Sequence, residues 1–187
     1  MNNSFTELFL KNKYATDKYD LGYLDNFYDK VFPDIRNNCG AFLEIGVQRG
    51  GSVRMWRDYF SDSTEIYGID IHETWNVPFT HRIIGDAYSD DIVNKFSDNY
   101  FDIIVDDGPH TYSSFELLIQ KYYSKLKPNG LMIIEDIIRP SERFPLIELS
   151  KKVGYTDFKE YDMTGMQKTQ HLFDLWAGGL FILKLQK

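Results

Sequence analysis

Short runs of apolar, largely β-branched residues recur along this chain, and between them lie stretches whose apolar positions fall three and four apart. The run 101–106, Phe-Asp-Ile-Ile-Val-Asp, reads as a strand that breaks off into Asp107-Gly108-Pro109-His110. A second run, 131–134, ends in Glu135-Asp136. The helical pattern over 113–127, closed by Pro128-Asn129-Gly130, separates the two. A crossover of that size makes the strands parallel neighbours, so both acidic ends point to one side of the sheet.

The same alternation starts at Ala41. Strand 41–46, helix 50–59 and strand 65–70 form a βαβ unit, and a short strand 82–84 with a helix over 90–96 repeats it. Beyond Asp136 the pattern gives a helix over 142–153 and two end strands, 155–161 and 179–185, close enough to pair as a hairpin. The expected fold is therefore α/β: a single doubly wound, Rossmann-like layer, mostly parallel, with an antiparallel C-terminal edge. Residues 1–40 form a helical lead-in of two short helices, and 41–187 carry the sheet. Between the helices, Tyr14 to Tyr23 is polar and turn-rich, a loop that can fold over a site or simply face solvent.

Composition narrows the partners. With 187 residues one domain is expected, and a net charge of −7 from 21 basic and 28 acidic residues leaves no basic footprint for nucleic acid. Cys39 is alone, and there is neither a signal-peptide core nor an apolar run of membrane-spanning length. A soluble protein of the reducing cytoplasm, with no membrane partner, is the expectation. The high aromatic content, 16%, is read as packing.

The candidate chemistry sits at the strand ends. In Glu44-Ile45-Gly46-Val47-Gln48-Arg49-Gly50-Gly51-Ser52 the glycines let backbone approach a ligand, although their spacing is not that of a dinucleotide site. Glu44 suits an ammonium, Asp70 the two hydroxyls of a ribose, and Asp86 an exocyclic adenine amine. Cofactor contacts are assigned to Glu44, Gly46, Gly50, Asp70 and Asp86. Asp107, Glu135 and Asp136 offer hard oxygen ligands of the kind Mg²⁺ prefers, and His110 offers a base; the competing reading is that these acids cap the helices after their strands. Asp106 faces either the cofactor or the core. Trp75 and Trp176 fall in loops near the mouth, where either packing or stacking on a sugar ring is open.

From Glu44 to Asp136 the chain resembles class I S-adenosylmethionine-dependent methyltransferases. Asp106-Asp107-Gly108-Pro109-His110 with Glu135-Asp136, and Thr16-Asp17-Lys18 with Gly22-Tyr23 in the lead-in, resemble the metal-dependent sugar O-methyltransferases of macrolide tailoring, the macrocin and mycinamicin enzymes. Pro109 and Leu21 depart from that pattern. The resemblance implies a seven-stranded sheet, S-adenosylmethionine, a magnesium-like ion and a sugar-type hydroxyl acceptor. A hydroxyl is a poor nucleophile until its proton is removed or its pKa lowered, which a divalent ion on Asp107, Glu135 and Asp136 and an imidazole base at His110 together achieve. The alternatives are a same-fold enzyme acting on another hydroxylated small molecule, including a hydroxylase-like relative, and a non-catalytic nucleotide-binding module.

Overall fold

A computed structural model describes residues 4–175 and 178–187. Its centre is a seven-stranded sheet in the order β3-β2-β1-β4-β5-β7-β6, formed by β1 (Ala41–Ile45), β2 (Glu65–Asp70), β3 (His81–Ile84), β4 (Phe101–Asp106), β5 (Leu126–Ile137), β6 (Asp157–Asp162) and β7 (Phe181–Gln186). The first five are parallel, and β7 runs antiparallel between β5 and β6. The expected seven strands and antiparallel edge are present. Strand order reverses between β1 and β4, whose carboxyl ends meet in register with Ile45 opposite Asp106, and a doubly wound sheet opens a crevice at such a reversal.

Alternating strand residues divide between two cores. Phe42, Ile103, Val105, Ile133 and Ile182 point to one face, where α3 (Gly51–Tyr59) and the lead-in cover them. Leu43, Ile104, Met132, Ile134 and Leu183 point to the other, against α5 (Tyr112–Tyr122) and α6 (Arg143–Val153), with the short α4 (Asp90–Val93) beside them. The helix between β4 and β5 ends at Tyr122, earlier than the 113–127 expected. Leu126 is already paired with Phe101, and Asn99 and Tyr100 donate backbone N–H groups to Ser124 and Lys125, so sheet pairing captures residues whose local pattern continues the helix.

The lead-in is fixed to the α3 face. α1 (Phe5–Asn12) begins with a capping box between Ser4 and Glu7, and Phe5 enters a pile of rings from Tyr28, Phe32, Trp56 and Tyr59. A π-helical turn, Leu24–Tyr28, runs into α2 (Asp29–Val31), and Asp29 accepts the Phe5 backbone N–H at 2.7 Å. The loop between them passes directly over α3. A Cβ on Gly51 would stand 1.9 Å from the Ala15 carbonyl oxygen, so the close crossing of lead-in and helix requires glycine there. A final helix, α7 (Gln170–Leu175), precedes β7.

A candidate active-site cleft at the sheet reversal

The carboxyl ends of β1, β2 and β4 open on a cleft of about 690 Å³, large enough for a nucleotide-sized ligand. Ala15, Thr16, Asp17 and Asp20 of the lead-in form one wall. Gly46, Asp70 and Asp86 line the floor and far side, and Asp107, His110 and Asp136 close the near end.

The far side is a glycine turn held by an acid. Gly46, Gln48 and Gly50 all have left-handed backbone, at φ 84°, 53° and 81°. Asp70 braces the turn: its Oδ2 accepts the N–H groups of Val47 and Gln48 at 2.9 and 2.7 Å, and its Oδ1 accepts that of His72 at 2.8 Å. A Cβ on Gly46 would lie 1.9 Å from the Asp107 carbonyl oxygen, so this glycine brings the two strand ends together. Gly50 is the residue before α3, packed against Trp75 and Val77, and it shapes the turn from behind. Asp86 accepts the Tyr88 backbone N–H at 2.9 Å while lying on the cleft wall.

Glu44 lies beneath the cleft, fully buried, with Oε2 accepting the Ser52 hydroxyl at 2.8 Å. The ammonium it faces is that of Lys18, at 3.8 Å, and Ser52 stands between it and the cavity. Burial pushes the Glu44 pKa up to about 7. Asp106 is buried behind the cleft wall, held by two residues that line it: Tyr88 donates to both its oxygens at 3.0 and 2.9 Å and Gly108 donates its N–H at 2.9 Å. Burial raises its pKa to about 6. Trp75 is buried among apolar residues and packs, and Trp176 lies outside the described residues.

The near end is an acid cluster. His110 Nε2 lies 3.2 Å from Asp107 Oδ1 and 3.7 Å from Asp136 Oδ2, and one ligand atom from each of the three falls within 4.8 Å of the others. His110 and Asp136 both hold left-handed backbone, at φ 53° and 54°, conformations that cost non-glycine residues about 1 kcal/mol or more and that packed surroundings must enforce. Glu135 does not reach the cleft. At 1% exposure its carboxylate accepts from the Tyr28 hydroxyl on one oxygen and from Lys18 Nζ on the other. Lys18, also 1% exposed, donates in addition to Asp107 Oδ2 at 2.7 Å, and the Tyr23 hydroxyl donates to Asp136 Oδ1.

Sequence reading misses Lys18, Tyr23 and Tyr28 as parts of this cluster. A lysine signature in the lead-in is visible, but nothing local says which carboxylates it meets.

Four acids gather round one lysine and one histidine. Burial alone would discharge Lys18, but Asp107, Glu135 and Glu44 outweigh it and hold the ammonium well above its ordinary pKa. Burial would likewise discharge His110; the hydrogen bond to Asp107 and the charge of Asp136 prevail and lift it to about 9. Burial, with Asp107 nearby, raises Asp136 to about 6. Buried oxygen donors in excess of resident positive charge, with an imidazole at their edge, fit a hard divalent cation.

A doubly wound sheet with a ligand cleft at the reversal and an acid cluster beside it is an architecture that α/β methyltransferases share. Residues 43–137 match the family model of a methyltransferase domain, and the chain belongs to that family. Mycinamicin VI 2''-O-methyltransferase of Micromonospora griseorubida is 34% identical over 142 residues, covering 68% of this chain. Demethylmacrocin O-methyltransferase of Streptomyces fradiae is 30% identical over 140 residues. The chain spans about a third, 35%, of the length of each of these two. The MycE methyltransferase of the mycinamycin biosynthetic pathway, solved in complex with Mg and SAH, shares the fold over 100% of this chain and 55% of its own, with a TM-score of 0.73 at 23% identity.

Proposed function

We propose that the protein transfers the methyl group of S-adenosylmethionine to a hydroxyl of a sugar or sugar-containing small molecule, with a divalent ion, Mg²⁺, at the acid cluster. The observation that carries this reading is the placement of Asp107, His110 and Asp136 on one end of the cleft whose other end is built by Gly46, Asp70 and Asp86. A donor seated on the turn is thereby brought beside the only group of metal-ligating side chains among the described residues. The named sugar O-methyltransferases similar to this chain support the acceptor class.

Each residue has a task that follows from its position. Gly46 lets the donor approach the backbone, Asp70 accepts from ribose hydroxyls while bracing the turn, and Asp86 accepts from the adenine amine. Glu44 acts on the donor's ammonium through Ser52, and Gly50 sets the turn's curvature. Asp107 and Asp136 would hold the ion from the cleft wall, and Glu135 would join them if its carboxylate were released by Lys18. A bound Mg²⁺ supplies the positive charge that lowers the proton affinity of an acceptor hydroxyl and of the neighbouring imidazole. His110, held in place by Asp107, would take the hydroxyl proton as the oxygen bonds to the methyl carbon and the methyl carbon–sulfur bond breaks, releasing S-adenosylhomocysteine. The lead-in supplies a wall that keeps water from this end of the cleft. The acidic net charge is consistent with an acceptor other than nucleic acid. No described helix is long and apolar enough to cross a membrane, and we place the reaction in the cytoplasm.

The test is transfer of a labelled methyl group from S-adenosylmethionine to a panel of nucleotide sugars and free glycosides, with and without chelator. The reading expects at least one labelled glycoside, formed only with the divalent ion present. Full transfer in excess chelator contradicts the metal role.

A further inference from the structure

Lys18 occupies the place in the acid cluster where added positive charge is most needed. Its Nζ bridges Asp107 and Glu135, and every other strong contact of these two carboxylates is already taken: Asp107 Oδ1 faces His110, and Glu135 Oε1 accepts from Tyr28. A divalent ion that recruits Glu135 must therefore take or share an oxygen held by the Tyr28 hydroxyl or by the ammonium, and on either oxygen of that one carboxylate it stands beside the ammonium. Two cations cannot share those oxygens at contact distance without strong repulsion, which is weakly screened where neither group meets water.

A second berth lies within reach. Glu44 Oε1 is 3.8 Å from Lys18 Nζ, is fully buried, and accepts no hydrogen bond. The indole N–H of Trp56 favours the ionised carboxyl without closing such a bond and is itself unpartnered. The Lys18 backbone is fixed, because its carbonyl accepts from Tyr23 N–H at 2.8 Å and the preceding Asp17 carbonyl accepts from Leu21 at 2.8 Å. The lysine stem, four methylenes with free rotation, is what can move.

We propose that Lys18 is the resident cation of the metal-free cluster, and that a divalent ion displaces its ammonium from Asp107 and Glu135 on to Glu44. Lys18 is thus a positioning residue. It keeps the acids assembled and the lead-in docked when no ion is bound, and it sets the threshold at which an ion enters. This rests on the metal reading given above.

Calorimetric titration of Mg²⁺ into the full chain, without cofactor, tests it in four proteins: wild type, Lys18→Met, Glu44→Gln and the double variant. Removal of the competing ammonium should tighten Mg²⁺ binding by at least about tenfold. Glu44→Gln should weaken binding about tenfold in the wild-type background, where the displaced ammonium needs that berth, and change it less than about twofold in the Lys18→Met background, where there is no ammonium to receive. A uniform electrostatic role for Glu44 would give the same loss in both backgrounds, and that result overturns the displacement. So does a Lys18→Met chain that binds Mg²⁺ no more tightly than wild type. If Lys18→Met does not fold, Glu44→Gln decides alone, and unchanged Mg²⁺ affinity in it overturns the proposal. A wild-type chain that takes up no Mg²⁺ overturns the metal reading itself, before any variant is compared.

Discussion

The carboxylate of Glu135 and the ammonium of Lys18 stand 117 residues apart in the chain and meet in the interior, each 1% exposed. The pair joins the end of β5 to the loop of the lead-in. Tyr28, from the π-helical turn, donates to the other oxygen of Glu135, so two parts of the lead-in close on one carboxyl group of β5.

That convergence makes Tyr28 a support of the site. Tyr28→Phe keeps the ring contacts and removes one donor from a buried carboxylate, which should cost about 1–3 kcal/mol of stability. Urea unfolding in the presence of chelator measures it. A change below about 0.5 kcal/mol would mean that Lys18 alone satisfies Glu135.

Asp70 has two duties. Asp70→Ala removes the acceptor we assign to the ribose hydroxyls, together with two backbone hydrogen bonds of the glycine turn and the one from His72 N–H. Binding of S-adenosylhomocysteine to the folded variant should weaken by roughly 1.5–3 kcal/mol. Calorimetry giving an affinity within about twofold of wild type would move the ribose elsewhere.

Stability of the metal-free protein should fall as pH rises. His110 holds its proton with a pKa of about 9, against about 6.5 in the unfolded chain. Its contribution is complete below the lower value and is lost as pH passes the higher one, on the order of 3 kcal/mol in all. Asp136 and Asp106, raised by burial to about 6, and Glu44, raised by burial to about 7, act in the same direction at lower pH. Unfolding in chelator at about pH 6 and about pH 9.5 checks this, and His110→Ala should flatten the upper limb. In turnover the same variant should lose about 10²–10⁴ in rate with cofactor affinity little altered. A wild type equally stable across the window contradicts the account of His110.

Gly51→Ala should reverse an ordinary rule. Alanine in place of a helical glycine usually stabilises by about 0.5–1 kcal/mol. Here the new methyl group would meet the Ala15 carbonyl at 1.9 Å, so the lead-in must lift and stability should fall by about 1–3 kcal/mol. A raised melting temperature would show that the lead-in is not seated on α3.

The sheet is legible in the sequence because its strands are short apolar runs with clear stops. The expected span 65–70 is the observed Glu65–Asp70, and the reversal of order follows from two βαβ units. The acidic groups Asp107 and Asp136 are visible for the same reason, since they fall at or near the carboxyl ends of apolar runs, on the side of the sheet where the cleft opens. Side-chain partners across the fold leave no such mark. Glu44 reads as a ligand group because it precedes a glycine turn, yet strand alternation turns it under the cleft towards Lys18. Glu135 and Asp136 look equivalent as neighbours in sequence, but only the second lines the cleft. Leu126 continues a helical pattern and is nonetheless drawn into β5, because pairing with Phe101 is decided by a residue far from it in the chain.

The central claim is that one cleft holds the methyl donor and the divalent ion side by side. Paramagnetic relaxation by Mn²⁺, substituted for Mg²⁺, tests this on the S-methyl protons of bound S-adenosylmethionine. The account predicts strong Mn²⁺-dependent relaxation of those protons in wild type and its loss in Asp107→Asn with the donor still bound. Relaxation that is absent in wild type, or that persists unchanged in Asp107→Asn, would contradict it.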